Sequence, residues 1–243
     1  MSEQVHRIGL LVPSSDGVTE MDFKNLLPWN VSFHTGRLYH HDATPRGVPT
    51  LDEIVGQTEA AIASIMQVDP ELIVFACTSG SFYRGAGWNR RIAERVTAAS
   101  GVPAVVTSTA VLEALAAVRT RRVYMLTPYP EEVNRIEIQF FADSGIEVAG
   151  HSSFHCAKSK DISNILPSQI VERVRTARPQ IEGCDALLIS CTGLRGAETV
   201  GPLEGELGIP VITSNVATIW AVLRALGIAG GLPAGRLFAA VGA

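Results

Sequence analysis

The sequence is written twice. Arg7-Ile8-Gly9-Leu10-Leu11-Val12-Pro13 is answered by Arg122-Val123-Tyr124-Met125-Leu126-Thr127-Pro128. Leu72-Ile73-Val74-Phe75-Ala76-Cys77-Thr78 is answered by Leu187-Leu188-Ile189-Ser190-Cys191-Thr192, and Gly101-Val102-Pro103-Ala104-Val105-Val106-Thr107-Ser108 by Gly208-Ile209-Pro210-Val211-Ile212-Thr213-Ser214. Three matched blocks in one order imply two similar lobes related by a pseudo-twofold. Each block opens on an apolar, β-branched run that reads as a strand. The strands expected are Arg7–Val12, Leu72–Ala76, Ala104–Thr107, Val123–Thr127, Ala186–Ser190 and Val211–Thr213.

Helical patterns fill the gaps between them. They run over Leu51–Val68, stopped by Asp69-Pro70, over Ala86–Ser100, Val111–Ala117, Glu131–Ser144 and Ser168–Ile181, and over Thr218–Leu226, stopped by Gly227. Alternating strands and helices predict an α/β fold of two Rossmann-like lobes with parallel sheets and a cleft between them. The first lobe is expected over 1–115 with the C-terminal tail 223–243, and the second over 116–222. Of the 243 residues, 47% are hydrophobic and 18% charged, so such lobes can bury a substantial core.

Other classes are excluded on charge and patterning. The net charge is −4, and the basic residues are scattered rather than gathered into a stripe that would follow a nucleic-acid backbone. No apolar run approaches the roughly 20 residues of a membrane span. The opening residues lack the charged and apolar regions of a signal peptide, which makes the cytoplasm the expected compartment. A homo-oligomer, dimer or higher, stays open.

Four cysteines in a chain of this size do not make a disulfide framework. Cys77 and Cys191 each end a strand and occupy equivalent places in the repeat. Cys184 stands just before a strand and Cys156 in a polar stretch. In open parallel sheets ligands bind beyond the carboxyl ends of the strands. That places Pro13-Ser14-Ser15-Asp16, Cys77-Thr78-Ser79, Pro128-Tyr129 and Cys191-Thr192-Gly193 in one cleft. Backbone N–H groups at such junctions favour a thiolate and can hold an anion. Thr78, Ser79, Ser81 and Thr192 with the adjoining amides are candidates for two oxyanion cradles. Two thiols facing one pocket suit a reaction in which one thiolate removes a proton or attacks a carbon while the other delivers a proton to the opposite face. Such chemistry needs no metal or organic cofactor.

The stretch Ala76-Cys77-Thr78-Ser79-Gly80-Ser81-Phe82-Tyr83-Arg84-Gly85-Ala86, with Cys191-Thr192-Gly193 and Thr127-Pro128-Tyr129, resembles the aspartate/glutamate racemase superfamily. Within it the similarity is to the maleate cis-trans isomerase and arylmalonate decarboxylase branch. Ile8-Gly9-Leu10-Leu11-Val12-Pro13-Ser14-Ser15 resembles the isomerases; Ser79, Ser81–Ala86 and Ser108–Leu112 look more like the decarboxylases. The resemblance implies that Cys77 and Cys191 are catalytic, that Thr78, Ser79, Tyr129, Thr192 and Gly193 hold a substrate carboxylate, and that Ser14 and Ser15 line the cleft. It also implies a small carboxylate substrate. Decarboxylases of the branch have glycine where this chain has Cys77. The isomerases usually follow Ser-Ser with Asn where this chain has Asp16, which is expected either to select a substrate amino or hydroxyl group or to cap the following helix.

The functional expectation is a cofactor-independent isomerase or racemase of a small carboxylic acid. The alternatives are a malonate decarboxylase that uses Cys191 as proton donor and a small-molecule receptor without turnover. The spacing His151-x-x-x-His155-Cys156 lacks a complete zinc ligand set. His40-His41-Asp42 reads as a polar loop, Arg84 as a substrate clamp or a structural ion pair, and Trp88 and Trp220 as packing residues.

Overall fold

The computed structural model describes residues 4–41, 47–228 and 235–239. Four strands of the first half form one sheet: β1 (His6–Pro13), β2 (Val31–Leu38), β3 (Leu72–Phe75) and β4 (Ala104–Val106). Four of the second half form another: β5 (Arg122–Thr127), β6 (Glu147–Ser153), β7 (Ala186–Ile189) and β8 (Val211–Thr213). The orders are β2-β1-β3-β4 and β6-β5-β7-β8. Every pairing is parallel. The repeat in the sequence is thus a repeat of topology.

The first half carries α1 (Thr19–Leu26), α2 (Val48–Gly56), α3 (Thr58–Ala63), α4 (Thr78–Phe82), α5 (Trp88–Ser100) and α6 (Thr107–Ala117). The second carries α7 (Glu131–Asp143), α8 (Pro167–Thr176), α9 (Arg178–Ile181), α10 (Val200–Leu207), α11 (Ser214–Ala225) and α12 (Arg236–Ala239). The central strands read as unbroken apolar runs because helices cover both faces: Leu72–Phe75 and Ala186–Ile189 are buried throughout. Each fully buried Leu, Ile or Phe contributes roughly 1.5–3 kcal/mol. One apolar cluster runs through both halves, joined where α6 packs on α11 and Thr218 Oγ1 donates to Thr107 Oγ1 at 3.1 Å.

The expected elements differ from the observed ones for local reasons. The single helix expected over Leu51–Val68 is α2, α3 and a 3-10 turn, broken at Gly56-Gln57. Glycine is a poor helix former by about 1 kcal/mol, and Thr58 Oγ1 takes the Val55 carbonyl at the break. The helix expected over Ser168–Ile181 breaks before Arg178-Pro179, because proline has no N–H to continue the ladder. The strands β2 and β6 had no expectation. Both are sheet edges with only one buried neighbour, so His34, Arg37, His151 and Ser152 interrupt their apolar pattern. Arg236–Ala239, expected with the first lobe, packs on the second half: the Arg236 N–H donates to Glu204 and its guanidinium to the Gly208 carbonyl. Buried Glu204 also accepts from Val211 N–H, so it recruits the tail to β8. Among the described residues no helix is long and apolar enough to cross a membrane.

Candidate active site

In each sheet the chain runs from the first strand to the edge, returns, and continues on the other side. The crevice of such a sheet opens where this reversal falls, between β1 and β3 and between β5 and β7. The four segments leaving these strands meet in one small cavity. It is lined by Pro13 at the end of β1 and Ser15 and Asp16 beyond it, by Cys77, Thr78 and Ser79 after β3, by Tyr129 after β5, and by Cys191, Thr192 and Gly193 after β7. Ile54 of α2 and Ser159, Ile162 and Ser163 of the 3-10 turn Ser159–Asn164 complete it. Both thiols are buried and outside any disulfide.

The two thiol loops are tied to each other across the halves. Ser214, the first residue of α11, accepts from Thr78 Oγ1 at 2.9 Å and from Cys191 N–H at 3.0 Å. Thr192 Oγ1 reaches the Ala76 carbonyl at 3.4 Å. The hydroxyls of Thr78 and Thr192 therefore brace the loops. Asn215 Nδ2 holds the Thr192 carbonyl at 2.9 Å and Asp22 Oδ2 at 2.7 Å. Burial pushes the Asp22 carboxyl up from its usual 3.8 to about 7, opposed by the Asn215 hydrogen bond and reinforced by Asp16 and Glu198. Tyr129 is set by its carbonyl, which accepts from Ser153 Oγ at 2.5 Å and from Asn134 Nδ2 at 3.3 Å. Its ring packs edge-on against Phe82.

The thiols stand on different backbones. Cys77 is extended, with φ −145°, and a Cβ on Gly80 would come within 2.9 Å of its Sγ. Glycine there lets the first turn of α4 close against the thiol. Cys191 has φ 135°, a region that favours glycine. A non-glycine residue held there costs on the order of 1–3 kcal/mol and is typical of functional positions.

Most of the expected lining residues come together, with three differences. Ser14 is not among the lining residues; its Oγ accepts the His40 N–H at 3.3 Å. Asp16 lines the cavity, but its carboxylate is committed. Oδ1 accepts from Val18 and Thr19 N–H, both at 2.9 Å, and Oδ2 from Thr19 Oγ1 at 2.7 Å. These bonds tie the β1 loop to the start of α1, as the capping expectation requires. Arg84 lies outside the cavity and pairs with Asp52 at 2.6 Å, beside Tyr83; the ion-pair reading holds.

Ile54, Ile162, Ser159 and Ser163 were not legible in the sequence. Each half lays one isoleucine over the cavity from the segment that follows its edge strand. The signal that could have found Ile162 is its place in Ser159-Lys160-Asp161-Ile162-Ser163, an apolar residue amid polar ones. Ser163 Oγ also accepts the Gly17 N–H at 3.2 Å, closing one half onto the other.

The other features resolve as packing or surface. Trp88 Nε1 donates to the Gly80 carbonyl at 3.0 Å. Trp220 is buried under Arg224. His151 pairs with Glu131, and Cys156 N–H donates to the Pro128 carbonyl. Among the described residues no cluster of His, Cys, Asp or Glu is placed to hold a metal. Asp42 lies outside the described residues. A larger open groove along β4, α6 and α11, lined mostly by alanine, holds no cysteine.

Two matching parallel sheets with a cysteine at each equivalent strand end define a two-lobed α/β protein with a paired-thiol site. A family model described as arylmalonate decarboxylase matches residues 8–238, and the chain belongs to that family. It is 29% identical to the arylmalonate decarboxylase of Bordetella bronchiseptica, over 95% of each chain. It is likewise 29% identical to the maleate isomerase of Nocardia farcinica, over 96% of this chain and 95% of that one. Among solved structures, a Nocardia farcinica maleate cis-trans isomerase mutant with a covalently bound succinylcysteine intermediate superposes with TM-score 0.88 at 26% identity, over 96% of this chain and 98% of that one. The maleate isomerase Iso from Pseudomonas putida S16, a variant with maleate, gives TM-score 0.90 at 22% identity, over 97% and 98%, which supports the fold.

Proposed function

We propose that the protein is a cofactor-independent isomerase or racemase of a small carboxylic acid, with Cys77 and Cys191 as its acid–base or nucleophile pair. The observation that carries this reading is that both thiols line one cavity from equivalent strand ends of the two halves. The amides of Thr78 and Ser79, and of Thr192 and Gly193, hold the substrate carboxylate, with Tyr129 and Ser15 beside it.

On an unsaturated acid, one thiolate adds to an alkene carbon, and the electron pair moves onto the neighbouring carbon and its carboxylate. The other thiol protonates that carbon. The bond, now single, rotates; removal of the same proton and cleavage of the C–S bond regenerate the thiolate and release the isomer. On a saturated acid, one thiolate takes the α-proton and the other thiol returns one to the opposite face. Neither route changes the oxidation state of carbon. The relative with a succinylcysteine supports the covalent route. We place the reaction in the cytoplasm, where thiols stay reduced.

The test is incubation with a panel of small mono- and dicarboxylates in deuterium oxide, followed by NMR. Isomerisation, or inversion with deuterium at the α-carbon, is the expected result. Loss of CO₂ from a substituted malonate, retained in Cys77→Ala and lost in Cys191→Ala, would instead establish the decarboxylase reading that the family match raises. Binding without any of these conversions would identify a receptor.

A further inference from the structure

One peptide group of the second thiol's loop is held from behind the cavity wall. The Thr192 carbonyl takes one hydrogen of Asn215 Nδ2 at 2.9 Å, and Asp22 Oδ2 takes the other at 2.7 Å. Thr19 Oγ1 also stands 3.4 Å from that carbonyl, but its single hydrogen goes to Asp16 Oδ2 at 2.7 Å. Asn215 is therefore the carbonyl's donor. Its own Oδ1 is buried with no hydrogen-bond partner among the described residues. A flipped amide would set that oxygen against two acceptors, so Asp22 and the carbonyl together fix which way the side chain faces. A buried acceptor left unpaired costs stability, so packing alone does not account for an asparagine here.

Asn215, Asp22 and Thr19 lie outside the cavity lining, whereas Thr192 and Gly193 belong to it. The Thr192–Gly193 peptide is trans, and in a trans peptide the C=O and N–H point in opposite directions. With the carbonyl turned back to Asn215, the Gly193 N–H is turned away from it and makes no hydrogen bond with the described residues. Gly193 itself faces the site: a Cβ there would lie 3.3 Å from Ile162 Cγ2 and 3.8 Å from Cys191 Sγ. The preceding Ser214 takes the Cys191 N–H, so the first two residues of α11 pin the loop on both sides of the Cys191–Thr192 peptide. A backbone at φ 135° persists only when its surroundings over-determine it in this way.

The first half solves the same problem with other residues. Thr78 answers Thr192 in the repeat, and its carbonyl accepts from Ser81 Oγ at 2.8 Å. Ser81 Oγ in turn accepts the Ser108 N–H at 3.2 Å. Ser81, like Asn215, is buried and outside the cavity lining. In both halves a buried polar side chain, itself oriented by a second residue, grips the carbonyl that follows the thiol residue.

We propose that Asn215, oriented by Asp22, is a positioning residue: its grip on the Thr192 carbonyl keeps the Gly193 N–H aimed into the cavity as a donor to a bound carboxylate. The inference rests on the small-carboxylate reading above and adds the two residues that hold one of its cradles in shape. Neither touches the substrate.

The experiment is NMR titration of the full chain with acetate, the chain carrying carbon-13 at threonine carbonyls and nitrogen-15 at serine and glycine. These labels report the Thr78-Ser79 and Thr192-Gly193 peptides of the two cradles, with Thr35-Gly36 of β2 as a control. In wild type, acetate is expected to move the Gly193 amide proton downfield and to leave Gly36 still. Asn215→Leu should shift the Thr192 carbonyl signal upfield before any ligand is added and weaken acetate at Gly193 about tenfold, the loss of one charge-assisted hydrogen bond. Asn215→Ser, which leaves room for water beside Asp22, carries the test if Asn215→Leu does not fold. Asp22→Asn still offers an oxygen to Asn215 and should keep the wild-type Thr192 signal and acetate response. A Thr192 carbonyl signal and acetate response unchanged in the Asn215 variants would overturn the proposal, as would loss of both in Asp22→Asn. Acetate that moves Ser79 but not Gly193 in wild type would overturn it too while leaving the carboxylate reading intact. Failure of wild type to bind any small carboxylate would overturn both.

Discussion

The two halves share a topology and a Cys-Thr pair at the same strand end, and they differ in how that pair is held. After β3 the chain passes through an extended Cys77 straight into α4; after β7 it passes through Cys191 at φ 135° into a turn. The first helix of each half buries an acid, but the two acids face different ways. Glu137 of α7 accepts from Ser190 Oγ of its own half. Asp22 of α1 crosses to Asn215 and, through it, holds the Thr192 carbonyl. The first half thus supports the second thiol's loop, whereas at the first thiol the support comes from the second half's Ser214. Duplication conserved the strand ends and left the bracing free to diverge, because strand packing tolerates little change and loop contacts tolerate much.

Four measurements would break or sharpen that comparison. The largest effect is expected at the thiols. If the halves contribute equally to one reaction, Cys77→Ala and Cys191→Ala each lower turnover by orders of magnitude, on the order of 4 kcal/mol or more in transition-state stabilisation. A variant with near-normal activity on the same substrate would show that one half has lost its chemical role.

Next is the buried acid that crosses between halves. The folded Asp22 carboxyl titrates near 7, above its ordinary 3.8, chiefly through burial. A raised acid pKa means that the folded chain binds the proton more tightly. The associated stability is complete below pH 3.8 and is lost as pH rises through about 7. The loss is up to about 4 kcal/mol, at 1.36 kcal/mol per tenfold change in proton affinity. Chemical denaturation of Asp22→Asn at pH 5 and pH 8 should show a smaller difference than wild type does. An unchanged difference would mean that Asp22 is not what couples the halves to pH.

The third concerns backbone strain. Glycine at 191 removes both the thiol and the strain, so Cys191→Gly should be more stable than Cys191→Ala by about 1 kcal/mol. At the extended Cys77 the order should reverse, with glycine worse than alanine by roughly 0.5–1 kcal/mol. Thermal melts of the four variants decide it; the same order at both sites would erase the difference.

The smallest effect is at the helix starts. Asp16→Ala removes the acceptor for two backbone N–H groups and one hydroxyl at α1 and should cost about 1 kcal/mol. At α7 no side chain caps the start, and Glu132 favours its first turn through the helix dipole. Glu132→Ala should therefore change the melting temperature less than Asp16→Ala does.

The sequence by itself determined the duplication, the alternation of strand and helix, and the placing of Cys77, Tyr129 and Cys191 at strand ends. These follow from local rules: β-branched runs bounded by Gly and Pro, read in the same order twice, leave few folds open. Only the tertiary structure decided the rest. The edge strands β2 and β6 depend on pairing with β1 and β5 rather than on their own apolar pattern. Ile54 and Ile162 reach the cavity because edge strands deliver their following segments there. Asp16, Thr78 and Thr192 carry side chains that suit a ligand, yet each is committed to a partner. For Thr78 and Thr192 those partners are Ser214 and Ala76, more than a hundred positions away along the chain. His40, unremarkable in a polar stretch, stands behind Ser15 because two parallel strands end side by side, Pro13 against Leu38. Whether a polar group faces a ligand or its own protein depends on who its neighbours are, and long-range neighbours are set by packing rather than by spacing.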